Sequence, residues 1–271
     1  MKKNPKLFIR YLAASILALA GICLLLYPKV DNWLYVNRVT SEKEAFLKRT
    51  HGTIDIGGNS GGSSDGSDNG SSRGGGAGGS FANDGNDGYA PALLDPYEKL
   101  YRFLNDENIR LYESGQDELV DAFSYQTAGI DLSGFGLEDG CIGYLEIPSI
   151  KAIMPIYLGA NAQNMKKGAA HMTQTSYPIS GINTNAVLAA HRGGALEMLR
   201  NIHLIQIGDE IIITNFRERL VYEAIESKII LPADIGEVKI QEGQDLITLL
   251  SCNPLGKNYQ RYVLYCKKID N

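Results

Sequence analysis

The sequence predicts a mainly β fold, a closed or nearly closed barrel of short strands with one or two helices, set behind an N-terminal membrane helix. Three observations lead there. An uncharged apolar run follows a basic N-terminus, a Gly/Ser-rich stretch separates it from the rest, and short β-prone runs punctuated by Gly, Pro and Asn recur from Cys141 onward. With 44% hydrophobic residues the 271-residue chain can bury a real core, so a wholly disordered protein is excluded. Net charge is −5 and unevenly spread: residues 1–50 hold nine Lys/Arg against three Asp/Glu, which leaves an acidic main body. That body is a poor match for phosphate, so nucleic acid is not an expected partner.

Lys2, Lys3, Lys6 and Arg10 form a basic tail, residues 1–10, ahead of the uncharged run from Tyr11 to Pro28. At about 1.5 Å per residue this run spans roughly 27 Å, the thickness of a bilayer core. Ala18-Leu19-Ala20 offers a small-residue cleavage site. The chain stays apolar from Ile22 to Tyr27 beyond it, which favours an uncleaved anchor at 11–28. Positive charge before the span keeps the N-terminus in the cytoplasm and puts everything after Lys29 outside, a single-pass membrane protein. Residues 29–56 read as a juxtamembrane segment, helical from Asp31 to Thr50, with Trp33 and Tyr35 at interface depth. Residues 57–88 are mostly Gly, Ser, Asn and Asp, with one Phe, too polar to offset their ordering entropy, and read as a flexible tether.

Residues 89–140 hold a helix from Asp95 to Tyr112. Asp95 is a candidate N-cap, Pro96 suits the first turn, and Tyr97, Leu100, Tyr101 and Leu104 recur at helical spacing. Residues 141–271 form the barrel. Its β-prone runs are Ile142 to Ile147, Ile153 to Leu158, Ala186 to Ala190, Glu210 to Thr214, Leu220 to Ile225, Leu246 to Ser251 and Arg261 to Cys266. No Gly-rich phosphate loop follows a strand, so a nucleotide-binding fold lacks support.

Four cysteines, Cys23, Cys141, Cys252 and Cys266, show neither a CxxC nor a zinc-like spacing with His. Cys252 ends a strand just before Asn253-Pro254, which places its thiol at a barrel rim. A buried structural thiol is the ordinary fate of a free cysteine, and Cys266, inside an apolar strand, fits that better. A Cys141–Cys252 or Cys252–Cys266 disulfide stays open at this point. His191 leaves a strand beside Gly193-Gly194, a position suited to a cleft, although a structural histidine is the commoner outcome. His171 is a weaker base candidate. Arg261 opens the strand nine residues after Cys252, and a short loop would bring the two together. A guanidinium there lowers a thiol pKa and stabilises an oxyanion.

Taken together, Ala189-Ala190-His191-Arg192-Gly193, Thr248 to Cys252 and Arg261 resemble the sortase family of cysteine transpeptidases. The resemblance runs from about Asp95 to Asp270 and includes Gly143-Tyr144-Leu145-Glu146-Ile147-Pro148. Tyr27-Pro28 with Trp33, and the surroundings of His191, look most like class C, the pilin-polymerising branch. The resemblance implies a closed barrel of about eight strands. It implies a membrane-anchored extracellular enzyme that cleaves an LPXTG-like sorting signal between Thr and Gly, with Cys252 as nucleophile, His191 as acid and base, and Arg261 at the oxyanion. The acyl group passes to an amine, either a pilin lysine or a peptidoglycan cross-bridge, and no cofactor is needed. Partners would be secreted proteins bearing the sorting signal.

Two departures follow. Ser251 stands where the family usually has Thr before the cysteine, and it keeps the hydroxyl. Class C members usually carry an Asp-Pro-aromatic lid. Asp95-Pro96-Tyr97 matches literally but begins a helix, whereas Asp121-Ala122-Phe123 lies nearer the barrel with Ala in place of Pro; Asp121 and Phe123 are therefore the expected lid, with a looser turn. Many class C members end in a membrane span or basic tail, and here only Ile-Asp-Asn follows Lys268. A wall-anchoring transpeptidase and a non-catalytic tethered binding module on the same barrel are the competing readings.

Overall fold

The computed structural model describes residues 5–52, 95–117, 119–124, 130–137, 139–193 and 196–269. The Gly/Ser-rich stretch at 57–88 lies outside the described residues. Eight strands close a barrel: β1 (Cys141–Ile147), β2 (Ala152–Leu158), β3 (Ala169–His171), β4 (Thr184–Ala189), β5 (Glu210–Asn215), β6 (Arg219–Ile230), β7 (Asp245–Asn253) and β8 (Gln260–Lys268). Their order around the barrel is β1-β2-β3-β4-β7-β8-β6-β5. Closure removes sheet edges, so no row of unpaired amides is left to water or to another chain.

Seven of the strands coincide with the runs read from sequence. The eighth, β3, is Ala-Ala-His, a string without β propensity that is held by parallel pairing to β2 and antiparallel pairing to β4. A parallel connection needs a crossover, and the helix α3 (Ala162–Lys167) supplies it. Asn161 caps α3 by accepting from the amides of Gln163 and Asn164 at 3.0 and 2.9 Å. β6 runs five residues past the apolar stretch Leu220 to Ile225, to Ile230. Its exposed Glu226, Ser227 and Lys228 hide the strand from a hydropathy reading, yet they pair with Tyr265, Leu264 and Val263 of β8.

The N-terminal helix α1 (Pro5–Thr50) is continuous through Pro28. Residues 14–30 are exposed throughout, and α1 is the one described helix long and apolar enough to cross a membrane. From Asp31 onward α1 docks on the barrel. Tyr35, Val39 and Phe46 share one stripe and are buried, with Phe46 edge-on to Tyr144 at 5.4 Å. Tyr35 therefore faces protein, not an interface: its hydroxyl donates to the Lys167 carbonyl at 2.9 Å. Trp33 stays exposed.

Helix α2 (Pro96–Glu113) follows the expected boundaries. Pro96 occupies the first turn, but the Asp95 side chain makes no capping bond and only its carbonyl joins, accepting from Lys99 N at 3.1 Å. Leu100, Leu104 and Leu111 bury one face. Buried Asn108 is satisfied by the backbone of Tyr177, accepting from its N–H at 2.7 Å and donating to its carbonyl at 3.4 Å. Beyond α2 the chain is pinned along the barrel by Gln116, which donates to Gln174 O and accepts from Ile240 N at 2.8 and 2.7 Å.

Gly143 is required where β1 crosses β5. A Cβ there would sit 2.6 Å from the Thr214 carbonyl oxygen, a backbone atom that cannot step aside. Gly143→Ala should cost about 1–3 kcal/mol of barrel stability. Gly134→Ala, where added Cβ atoms meet nothing within 4 Å, should change it by less than about 0.5 kcal/mol. Paired denaturant melts of the two variants check this.

Candidate active site

Register places the site. β7 and β8 are antiparallel neighbours in which Cys252 lies directly across from Arg261. β4 runs parallel to β7 on its other side, with Ala189 opposite Leu250. Three bonds carry this register past the end of β4. Ala190 N donates to Leu250 O at 3.1 Å, Ser251 Oγ donates to Ala190 O at 2.7 Å, and Arg192 Nη1 donates to Asn253 Oδ1 at 2.6 Å. The same offset of 61 residues sets His191 beside Cys252 on the neighbouring strand. So the three residues proposed from sequence lie at one rim, Cys252 on β7, Arg261 on β8 and His191 two residues past the end of β4. Ser251 anchors the backbone of the His191 segment, which explains why a hydroxyl suits that position.

The segment after α2 reaches the same rim. Asp121 takes a bidentate grip on Arg261, Nε donating to Oδ1 and Nη2 to Oδ2, both at 2.8 Å. The pair is nearly water-free, with side chains 6% and 10% exposed. The remaining guanidinium nitrogen, Nη1, donates to the carbonyls of Asn258 and Gln260 at 2.8 and 2.9 Å. Phe123 bridges the site: its ring centroid is 4.7 Å from Arg261 Cζ and 6.3 Å from the His191 ring. Ala122 is fully buried in a short 3-10 turn, Ala122–Ser124, closed by Ser124 N donating to Asp121 O at 2.9 Å. The turn therefore forms without proline. The literal match, Asp95-Pro96-Tyr97, begins α2, where the Tyr97 ring packs at a tilt against Phe216, centroids 6.0 Å apart.

Electrostatics leave the resting pair uncharged. Burial pushes the Cys252 thiol above its ordinary value, Arg261 pulls it back in part, and Asp121 works against Arg261. Burial, and secondarily the positive charge of Lys166, lowers the imidazole pKa of His191. At neutral pH the site holds a thiol beside a neutral imidazole.

The other candidates fall away on geometry. All four cysteines are free, so neither disulfide exists. Cys141 and Cys266 are buried, and burial holds the Cys141 thiol near 12. His171 is fully buried, its Nε2 donating to Ser176 O at 2.9 Å, and burial lowers its pKa to about 4. It is a structural neutral imidazole stacked on Tyr177. Arg192 is a participant that sequence reading passed over: it is 6% exposed, bonds Asn253 and lies over the Tyr262 ring at 5.2 Å. Its place directly after His191 was the available signal. Among the described residues no group of three or more His, Cys, Asp or Glu could hold a metal ion.

A family model described as the Sortase domain matches residues 145–269. Sortase D of Bacillus subtilis is 29% identical over 130 residues, a match that covers 47% of this chain and 63% of that protein. The chain thus spans just under two thirds of that relative. Two solved structures align more fully. Sortase C1 of group B Streptococcus pilus island 1 shows 28% identity and a TM-score of 0.59, covering 66% of this chain and 91% of that one. Sortase C2 of the same island shows 30% identity and a TM-score of 0.52, covering 62% and 98%. With the barrel order, the rim geometry and these matches in agreement, the chain belongs to the sortase family, its structural neighbours being class C sortases.

Proposed function

We propose that this protein is a membrane-anchored cysteine transpeptidase with Cys252, His191 and Arg261 as its catalytic residues. The observation that carries this reading is the register that sets one thiol between an imidazole and a guanidinium at a barrel rim. The Cys252 proton passes to His191, and the thiolate attacks the carbonyl carbon of the scissile Thr–Gly bond in an LPXTG-like signal. Arg261 stabilises the oxyanion. The C–N bond breaks as His191 returns the proton to the leaving amine, which leaves a thioacyl-enzyme. An incoming amine then loses a proton to His191, attacks the thioester and regenerates the thiol. A half-buried Cys with a neighbouring neutral His suits this chemistry, because the pair creates its charges only when the substrate is in place.

The acceptor favoured here is a pilin lysine. Support comes from the pilus-island sortases among the structural relatives, and from the Streptococcus pneumoniae sortase C at 28% identity and TM-score 0.53, whose structure is described as informing pilin substrate specificity. The apolar run at 11–28 anchors the chain, with the barrel outside the cell, on the same side as exported substrates. Asp121 and Phe123 act as a lid: the carboxylate occupies the donors that the oxyanion needs, and the ring stands between His191 and Arg261.

Mass spectrometry of the protein incubated with sorting-signal peptides should find a thioacyl adduct on Cys252 that transfers to an added lysine amine. Cys252→Ala should abolish it, and Arg261→Lys should lower its rate of formation by roughly 10²–10³-fold. An unmodified Cys252 with every peptide would favour the tethered binding module. The lid has its own test. Asp121→Ala removes the charge that opposes Arg261, while the Asn258 and Gln260 carbonyls still hold the guanidinium. Iodoacetamide titration should then show the apparent pKa of Cys252 lowered, with alkylation at neutral pH faster by roughly 3–10-fold. No change would remove Asp121 from control of the thiol.

A further inference from the structure

Helix α1 reports which end of the barrel faces its bilayer. It lies antiparallel to β1: Lys43 pairs with Glu146, Phe46 packs on Tyr144 and Arg49 pairs with Asp139. β1 ends at the rim that carries the active site, since it runs against β5, β5 against β6, and β6 reaches Arg261 with its last residue, Ile230. The membrane-proximal part of α1 therefore docks at that rim. Its contacts agree. Asn32 Oδ1 accepts from Glu197 N at 3.1 Å, and Tyr35 bonds the Lys167 carbonyl. Asn32 and Val36 share a cleft with Ile150 and Met198. Glu197 and Met198 lie in the loop after His191, which is tied back by Leu199 N donating to His191 O at 3.1 Å. At the other end of α1, His51 Nε2 donates to Asn215 O at 2.9 Å, where β5 finishes at the opposite rim.

The helix is thus a ruler along the barrel wall. From Pro28, the last residue of the apolar run, to Asn32 is about 6 Å of helix, and to Thr50 about 33 Å. The β7–β8 loop lies at the near rim and is exposed, with Leu255 at 45% and Tyr259 at 59% on either side of exposed Lys257. An aliphatic, an aromatic and a cationic side chain together suit the headgroup layer of a bilayer. We infer that the active-site rim faces the membrane that holds α1, and that Leu255, Lys257 and Tyr259 rest on its phospholipid headgroups. The inference rests on the anchoring proposed above. It places Cys252 close to the bilayer surface, where a peptide adjoining a substrate's own membrane span would be presented, and it leaves the rim with Asn215 and Arg219 pointing away.

The test uses the full chain with Cys23→Ala and Cys252→Ala, in which the remaining thiols are the buried Cys141 and Cys266. A donor dye is placed at Lys257→Cys or at Arg219→Cys. The chain is reconstituted in vesicles of phosphatidylcholine and phosphatidylglycerol that carry headgroup-labelled acceptor lipid. Energy transfer should be at least about twice as efficient from position 257 as from 219, as expected for sites separated by most of the roughly 30 Å that α1 spans along the barrel. Equal or greater transfer from 219 in chains that float with the vesicles overturns the orientation and leaves the anchor standing. Failure to float overturns the anchor, and the orientation falls with it.

Discussion

The site depends on the pairing of β7 with two partners of opposite sense. Antiparallel β8 returns Arg261 to Cys252 through a short loop, and parallel β4 delivers His191 from 61 residues away. Neither pairing alone assembles three groups. A slip of one residue in the β4–β7 ladder would turn His191 to the other face and break the Ser251–Ala190 and Arg192–Asn253 bonds at once. These two bonds lie beyond the regular ladder, where frayed strand ends would otherwise let the histidine wander. Arg192, buried over Tyr262, is thereby a positioning residue for its neighbour.

The lid and the nucleophile share one electrostatic economy. Among the described residues Arg261 pulls the Cys252 thiol down, and Asp121 neutralises it in a nearly dry contact. With Asp121 bound to Arg261, the guanidinium donors are engaged and the thiol is held above its ordinary pKa. On the lid function proposed above, lifting Asp121 would free the guanidinium donors and remove the opposing charge in one motion, coupling access to activation through the same ion pair. Breaking a buried pair costs a few kcal/mol when nothing replaces the lost partner, and a substrate carbonyl that becomes an oxyanion is such a replacement.

Much of this was legible in the sequence, for identifiable reasons. The apolar runs of seven strands read directly, and Cys252 and Arg261 lie close enough along the chain to suggest a hairpin. β3 was not legible, because Ala169-Ala170-His171 owes its conformation to neighbouring strands and not to its own side chains. The far half of β6 was hidden by Glu226 to Lys228, which face water on a paired strand. Tyr35 read as an interfacial aromatic because composition cannot tell a membrane from a barrel wall. The strand exit beside Gly193-Gly194 marked His191 as a candidate, but its pairing with Cys252 came from family resemblance, since no local signal encodes a parallel pairing across two intervening strands. The Asp121-Ala122-Phe123 segment was found through the same resemblance, and its turn closes without proline around a fully buried Ala122.

The convergence of His191 and Cys252 can be measured without reference to activity. In a Cys23→Ala chain, His191→Cys places a second thiol on the strand next to native Cys252, and neighbouring strands lie about 4.8 Å apart, within disulfide reach. Mild oxidation followed by peptide mapping should recover an intramolecular 191–252 disulfide in a monomeric, folded product. Recovery of both thiols free, or joined only between chains, would contradict the shared rim on which the account stands.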